Sequence, residues 1–153
     1  MIRNLVFSGA SLRITSQAAA VAELSSRGLL GGVVAYGGTA SGSVIAALLA
    51  VGYSPDEVEK VTVTFDMDSL YDSGSPWSPR EGSGRGRPAN VQGVEGIFEL
   101  MIRLFAEKMP DPNVTFSQLQ CDLVITASNL SRRRLEYFSR KYTPDMSVAE
   151  AVA

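Results

Sequence analysis

The sequence predicts an α/β fold with a mainly parallel sheet and the functional loops at the C-terminal ends of its strands. Two observations carry this. Short apolar runs alternate with helical stretches along the first third of the chain, and the second run enters a glycine-rich turn that leads straight into an apolar helix.

The elements follow in order. Residues 2–7, "IRNLVF", read as a buried strand that ends at Ser8-Gly9. "TSQAAAVAELSSR", Thr15 to Arg27, is alanine-rich, and Ala18, Val21, Ala22 and Leu24 mark one face of a helix with Gly28 placed to cap it. "GVVAY", 32–36, is a second strand that enters the turn. The helix Ser43 to Val51 is apolar all round, which marks it as central. Gly52 ends it, and Ser54-Pro55-Asp56-Glu57 opens another helix with capping-box spacing and proline at its first position. Residues 73–90, "SGSPWSPREGSGRGRPAN", lack apolar periodicity and read as a long flexible loop. A helix follows over 96–109, striped by Ile97, Leu100, Met101, Leu104 and Phe105. Then come strands 121–129 and 134–139, joined as an antiparallel hairpin, and a helix from Ser147 to Ala153.

At 153 residues this is one domain, 1–153, with a core of ordinary size. The net charge of −2 gives no global reason to bind nucleic acid. One cysteine, Cys121, rules out an internal disulfide and a cysteine metal cluster. The absence of histidine removes the Ser-His-Asp triad, the Cys-His pair and every histidine metal site. No metal or cofactor is therefore expected, and hydrolysis would need a carboxylate base. The longest apolar run, Val44 to Val51, is 8 residues, too short to span a bilayer. No signal segment is visible, so the expected setting is soluble and cytoplasmic.

The turn is the chemical question. Gly38, Thr39, Ala40, Ser41 and Gly42 occupy a G-x-S-x-G frame, the pattern of a nucleophile elbow, with alanine where the serine belongs. Ser41 comes one place late. A step of one residue along a helix turns a side chain by about 100°, so its hydroxyl is badly aimed for attack. Capping the helix is its better role, and substitute nucleophile is the other reading. The glycines could also cradle a phosphate at a helix N-terminus, but no P-loop Lys-Ser/Thr follows them.

These pieces, in this order, resemble the patatin-like phospholipases across nearly the whole chain. The family's glycine-rich loop, G-G-G-x-[RK]-G, aligns with Gly9, Ala10, Ser11, Leu12, Arg13 and Ile14, keeping the first glycine and the basic residue. "LLAVGYSPDEVEK" and "TFSQLQCDLVITASNLSRRRLEYFSRKYTPDMSVAEAV" are similar to the family's continuation after the elbow and to its hairpin. The resemblance implies a three-layer α/β sandwich and acyl-ester hydrolysis of lipids by a serine–aspartate dyad. It implies oxyanion binding by Gly9, Ala10, Ser11, Arg13 and Ser41, with Gly38 and Gly42 framing the elbow and Ala40 at the nucleophile position. The family's aspartate sits in a D-G-[GA] motif beyond the point where Ala153 ends the sequence. On this reading the chain is a truncated fragment or an active-site variant of a lipid acyl hydrolase, with a non-catalytic lipid-binding or protein-interaction module as the alternative. Its acyl pocket would have Val44 to Val51 as one wall, and apolar surface left bare by truncation would favour self-association.

Other signals stay open. Arg13 would attract phosphate or carboxylate, or make a surface ion pair. Arg132 to Arg134, with Arg80, Arg85 and Arg87, could face anionic lipid headgroups at a membrane surface, contact RNA, or be solvated charges. Cys121 reads as a small buried apolar residue.

Overall fold

The computed structural model describes residues 2–10, 13–64 and 91–153. Its elements are β1 (Asn4–Phe7), α1 (Ile14–Ser26), β2 (Ala35–Thr39), α2 (Ser41–Ala50), α3 (Pro55–Thr64) and α4 (Val91–Ala106). A 3-10 turn (Phe116–Gln118), β3 (Asp122–Asn129), β4 (Arg134–Ser139) and α5 (Val148–Val152) complete it. The strands form one sheet in the order β1-β2-β3-β4. β1, β2 and β3 run parallel, with Phe7 beside Gly38 and Gly38 beside Ile125, and β4 pairs antiparallel to β3. The fold is therefore α/β with a mostly parallel sheet, as the alternation of elements predicts. The long loop expected over 73–90 lies outside the described residues.

Strand order decides where the core sits. Each parallel step moves the same way across the sheet, and right-handed crossovers then bring the connecting helices to one face. α2 packs on β1, β2 and β3, and α1 packs on α3. On that face Phe7, Leu123 and Ile125 are buried against Ile45, Leu48 and Phe105. The next residue on a strand points the opposite way. Val6 is accordingly 80% exposed, and Val124, Leu135 and Tyr137 also face outward. No described element covers this second face.

Local signals fix the ends. Gly28 at φ +69 closes α1, its N–H donated to Ser25 O at 2.8 Å while the Leu29 N–H reaches Leu24 O at 3.1 Å. The capping box before α3 forms: the Ser54 N–H donates to Glu57 Oε2 at 2.8 Å, and the Glu57 N–H to Ser54 Oγ at 3.3 Å. Lys108, just past α4, pairs with Glu57 at 2.8 Å and ties the two helices together. That bond, first, and the capping hydrogen bonds pull the Glu57 carboxyl down to about 2.

The long helix runs from Val91 to Ala106 where the sequence suggests 96–109, and the second strand starts at Ala35 instead of Gly32; the differences that shape the site lie at the turn. β2 extends to Thr39 and α2 starts at Ser41, so Gly37 and Gly38 are strand residues and Ala40 alone makes the turn. The glycines are there for contact. A Cβ at Gly38 would lie 2.5 Å from Ser43 Cα, and one at Gly42 would lie 2.5 Å from Phe7 O. Only hydrogen at those positions lets α2 settle onto the sheet.

Candidate active site

At the C-terminal ends of β1 and β2, Ser8, Gly9, Ala10, Arg13, Ser16, Gln17, Ala40 and Ser41 line an open cleft of about 790 Å³. It joins the loop after β1, the first turns of α1 and the start of α2. Of the residues picked out in the sequence, Gly9, Ala10, Arg13, Ala40 and Ser41 meet here. Gly38 and Gly42 lie behind the wall, and Ser11 is outside the described residues.

Ala40 carries the geometry. Its backbone stands at φ 48 and ψ −131, a conformation that L-residues avoid, between the end of β2 and the start of α2. The position is exposed to the cleft, and the Ala40 Cβ lies 3.2 Å from where a Gly9 side chain would begin. Any side chain at residue 40 thus projects into the cleft opposite the glycine loop.

Ser41 behaves differently. It is 1% exposed, and its Oγ accepts the Ala10 N–H at 2.9 Å, stitching the loop after β1 to α2. That bond replaces the expected helix-capping role, since α2 has no side-chain cap and the Ser43 hydroxyl donates to Ala40 O. It also occupies the Ala10 N–H that the sequence assigns to an oxyanion. The first N–H groups of α2 have no acceptor inside the helix, so positive dipole density remains at the turn.

Gln17, Ser8 and Ser16 were not singled out by sequence. Gln17 sits one helical turn after Arg13, and that i, i+4 spacing puts both on one face. Its Nε2 donates to Ser8 O at 3.2 Å and to Ser8 Oγ at 3.1 Å, bracing the loop from below. Gln17 Oε1 is buried without a hydrogen-bond partner among the described residues.

The expected acyl wall is not where the sequence put it. Val44 to Val51 are buried in the core against the sheet, and the cleft is lined by small and polar residues. An all-round apolar helix at the centre of a fold spends every face on packing. Among the described residues, no carboxylate lines the cleft. Asp145 and Glu150 line another cavity, about 520 Å³, with Phe98, Asn113, Thr115, Ser147 and Ala153, which shares no residue with it. Cys121 is no substitute nucleophile: burial, first, and then the Asp122 charge raise its thiol pKa, so the thiol stays protonated. Among the described residues, no group of three or more acidic or cysteine side chains could hold a metal ion.

The patatin-like phospholipase family matches residues 5–153. The chain belongs to that family. An uncharacterized protein of Acanthamoeba polyphaga mimivirus is 37% identical over 117 residues, covering 75% of this chain and 37% of the viral protein. Among solved structures, the Pseudomonas aeruginosa complex of ExoU with SpcU aligns with TM-score 0.66 and 22% identity, over 99% of this patatin-like chain and 37% of the matched one. VipD of Legionella pneumophila aligns with TM-score 0.67 and 16% identity, over 98% and 41%. The patatin-like fold is common to all of these structures, and the chain spans well under half the length of each relative.

Proposed function

We propose that the cleft is the ester site of a patatin-like lipid acyl hydrolase in which the Ala40 turn is the nucleophile elbow, so that this chain holds a lipid ester without cleaving it. The carrying observation is the backbone of Ala40, strained at φ 48 and aimed at the glycine loop. A serine hydroxyl at that position would stand free in the cleft, where an ester carbonyl would meet it. Alanine has no hydroxyl to offer. Ser41 does not replace it, because its oxygen is buried and committed to Ala10. The small, polar lining suits the head and ester end of a lipid, with Arg13 favouring a phosphate or carboxylate. The acyl chain would leave through the open side.

Hydrolysis in the complete reaction would have a serine attack the ester carbonyl, a carboxylate take its proton, and backbone amides hold the oxyanion. This chain should therefore show no p-nitrophenyl ester turnover above a Ser41→Ala control. Ala40→Ser alone should restore little without a base. Turnover abolished by Ser41→Ala in a folded protein would reverse the roles of the two residues. Binding is tested by calorimetric titration with soluble short-chain phospholipids. An anionic head should bind more tightly than a zwitterionic one, and Arg13→Gln should weaken it roughly tenfold. No binding by a folded chain would leave the interaction-module reading. The sheet face that no described element covers supports that reading through self-association, which light scattering would detect.

A further inference from the structure

The β3–β4 hairpin ends in a four-residue turn, Leu130 to Arg133, that the cleft does not use. Leu130 is 86% exposed at the tip, the most exposed large apolar side chain among the described residues. Arg132, Arg133 and Arg134 stand beside it. Arg134 pairs with Glu136 at 2.8 Å and Arg132 approaches the same carboxylate at 3.8 Å, while Arg133 makes no ion pair with a described residue. Two guanidinium groups thus share one carboxylate and the third pairs with none among the described residues, so the tip keeps a local positive excess on a chain of net charge −2. Leu135 and Tyr137 continue the exposed apolar surface down β4.

Topology places this tip with respect to the cleft. β3 is parallel to β2, and Thr126 pairs with Thr39, the residue before the Ala40 turn. β3 then runs three residues further, to Asn129, which carries the tip about 10 Å past the level of Thr39. The tip and the cleft therefore open at the same end of the sheet, and the tip projects beyond.

The tip's backbone adds a third observation. Arg133 adopts φ +50, where glycine is the unstrained choice. An arginine at a left-handed turn position, in the same turn as a leucine that is 86% exposed, is costly for folding and contributes nothing to the core.

We infer that the β3–β4 tip docks this protein on an anionic lipid surface, Leu130 entering the headgroup–acyl boundary while Arg132, Arg133 and Arg134 engage lipid phosphates. Basic side chains and one inserted aliphatic group are a recognised pair for interfacial binding. The positive excess complements an anionic bilayer and gives no attraction to a neutral one. Docking by this tip turns the cleft toward the membrane. That consequence rests on reading the cleft as a lipid-ester site; docking itself does not.

The test is co-sedimentation of the intact chain with vesicles of phosphatidylcholine containing phosphatidylserine, against phosphatidylcholine alone. Binding should appear with the anionic vesicles only and fall as salt rises. Arg132→Gln and Arg133→Gln should each weaken it about fivefold, and Leu130→Ser about tenfold. Arg133→Gly relieves the backbone strain, so it should raise the melting temperature while weakening sedimentation. A fold defect would move both measurements the same way. These tip variants should still bind short-chain phospholipids in solution, which separates failure of docking from failure of the cleft reading. Equal binding to neutral vesicles, or unchanged sedimentation of the Leu130 and Arg133 variants, would overturn the inference. So would binding to single-stranded RNA with no binding to either vesicle.

Discussion

Ala40 and Arg133 share a backbone angle, φ 48 and φ 50, and little else. Ala40 is locked by tertiary packing: Gly38 and Gly42 press α2 onto the strands, and Ser41 ties the loop after β1 to the helix. Its strain cannot be released without lifting a helix from the core. Arg133 sits in a solvent-facing turn held by local bonds, such as the Arg132 N–H donated to Asn129 Oδ1 at 2.9 Å. Its strain belongs to one residue. The difference shows that a left-handed residue in a protein can be imposed from outside or tolerated from within, and that only the second kind is free to change.

Substitutions can break this contrast, starting with the largest effect. Gly42→Ala puts a carbon into the Phe7 and Ser8 carbonyls, and Gly38→Ala puts one into the start of α2. Each should destabilise by about 3 kcal/mol or more, a large share of what such a domain has, and chemical denaturation of the soluble fraction would measure it. A loss under about 1 kcal/mol at both sites would mean that the Ala40 turn is not held by packing. Ser41→Ala leaves the Ala10 N–H without its acceptor and should cost about 1–2 kcal/mol, read in the same denaturation series. Arg133→Gly should instead gain roughly 0.5 kcal/mol, the released strain being offset in part by glycine's freer unfolded chain. Destabilisation there would mean that Arg133 is anchored by more than its own turn.

The smallest effect is the pH response, and it separates the turns by chemistry. Among the described residues, no carboxylate lines the cleft beside Ala40. The hairpin holds Glu136, whose pKa is lowered first by the Arg134 hydrogen bond and further by Asn129 and Arg132. A lowered carboxyl stabilises the fold above its ordinary value near 4.5, and that contribution fades as pH falls through the folded value. Glu136→Gln should therefore lower the melting temperature slightly at neutral pH and lose that difference in acid. Because Glu136 is only partly buried and its arginine partners are exposed and solvent-screened, a large shift at neutral pH would mean a role beyond pairing with these arginines.

Much of the fold was legible because its signals are local. The Gly28 end of α1, the Ser54 capping box and the hairpin strand at 134–139 each depend on neighbours within a few residues, and each appears where the sequence puts it. The turn was legible as a turn but misregistered, because Gly37 and Gly38 look like turn formers. Their purpose is to admit the backbone of α2, which sequence proximity cannot reveal. The same limit applied at the cleft. Arg13 and Ala40 stand out in a motif, whereas Gln17 matters through a contact with Ser8 across a loop. The helix that looked like a pocket wall is spent on the core.

The sheet order also governs how the protein is made. β2 gains β1 as a neighbour early, but its other edge waits for β3, which lies in the last third of the chain. During synthesis the Ala35–Thr39 strand and the whole apolar helix after it must leave the ribosome before Leu123 and Ile125 exist to cover them. Pairings between distant segments form slowly and leave sticky intermediates. Newborn chains of this protein should therefore depend on chaperones until the hairpin emerges, and any slowing of translation between α2 and β3 would lengthen that exposure.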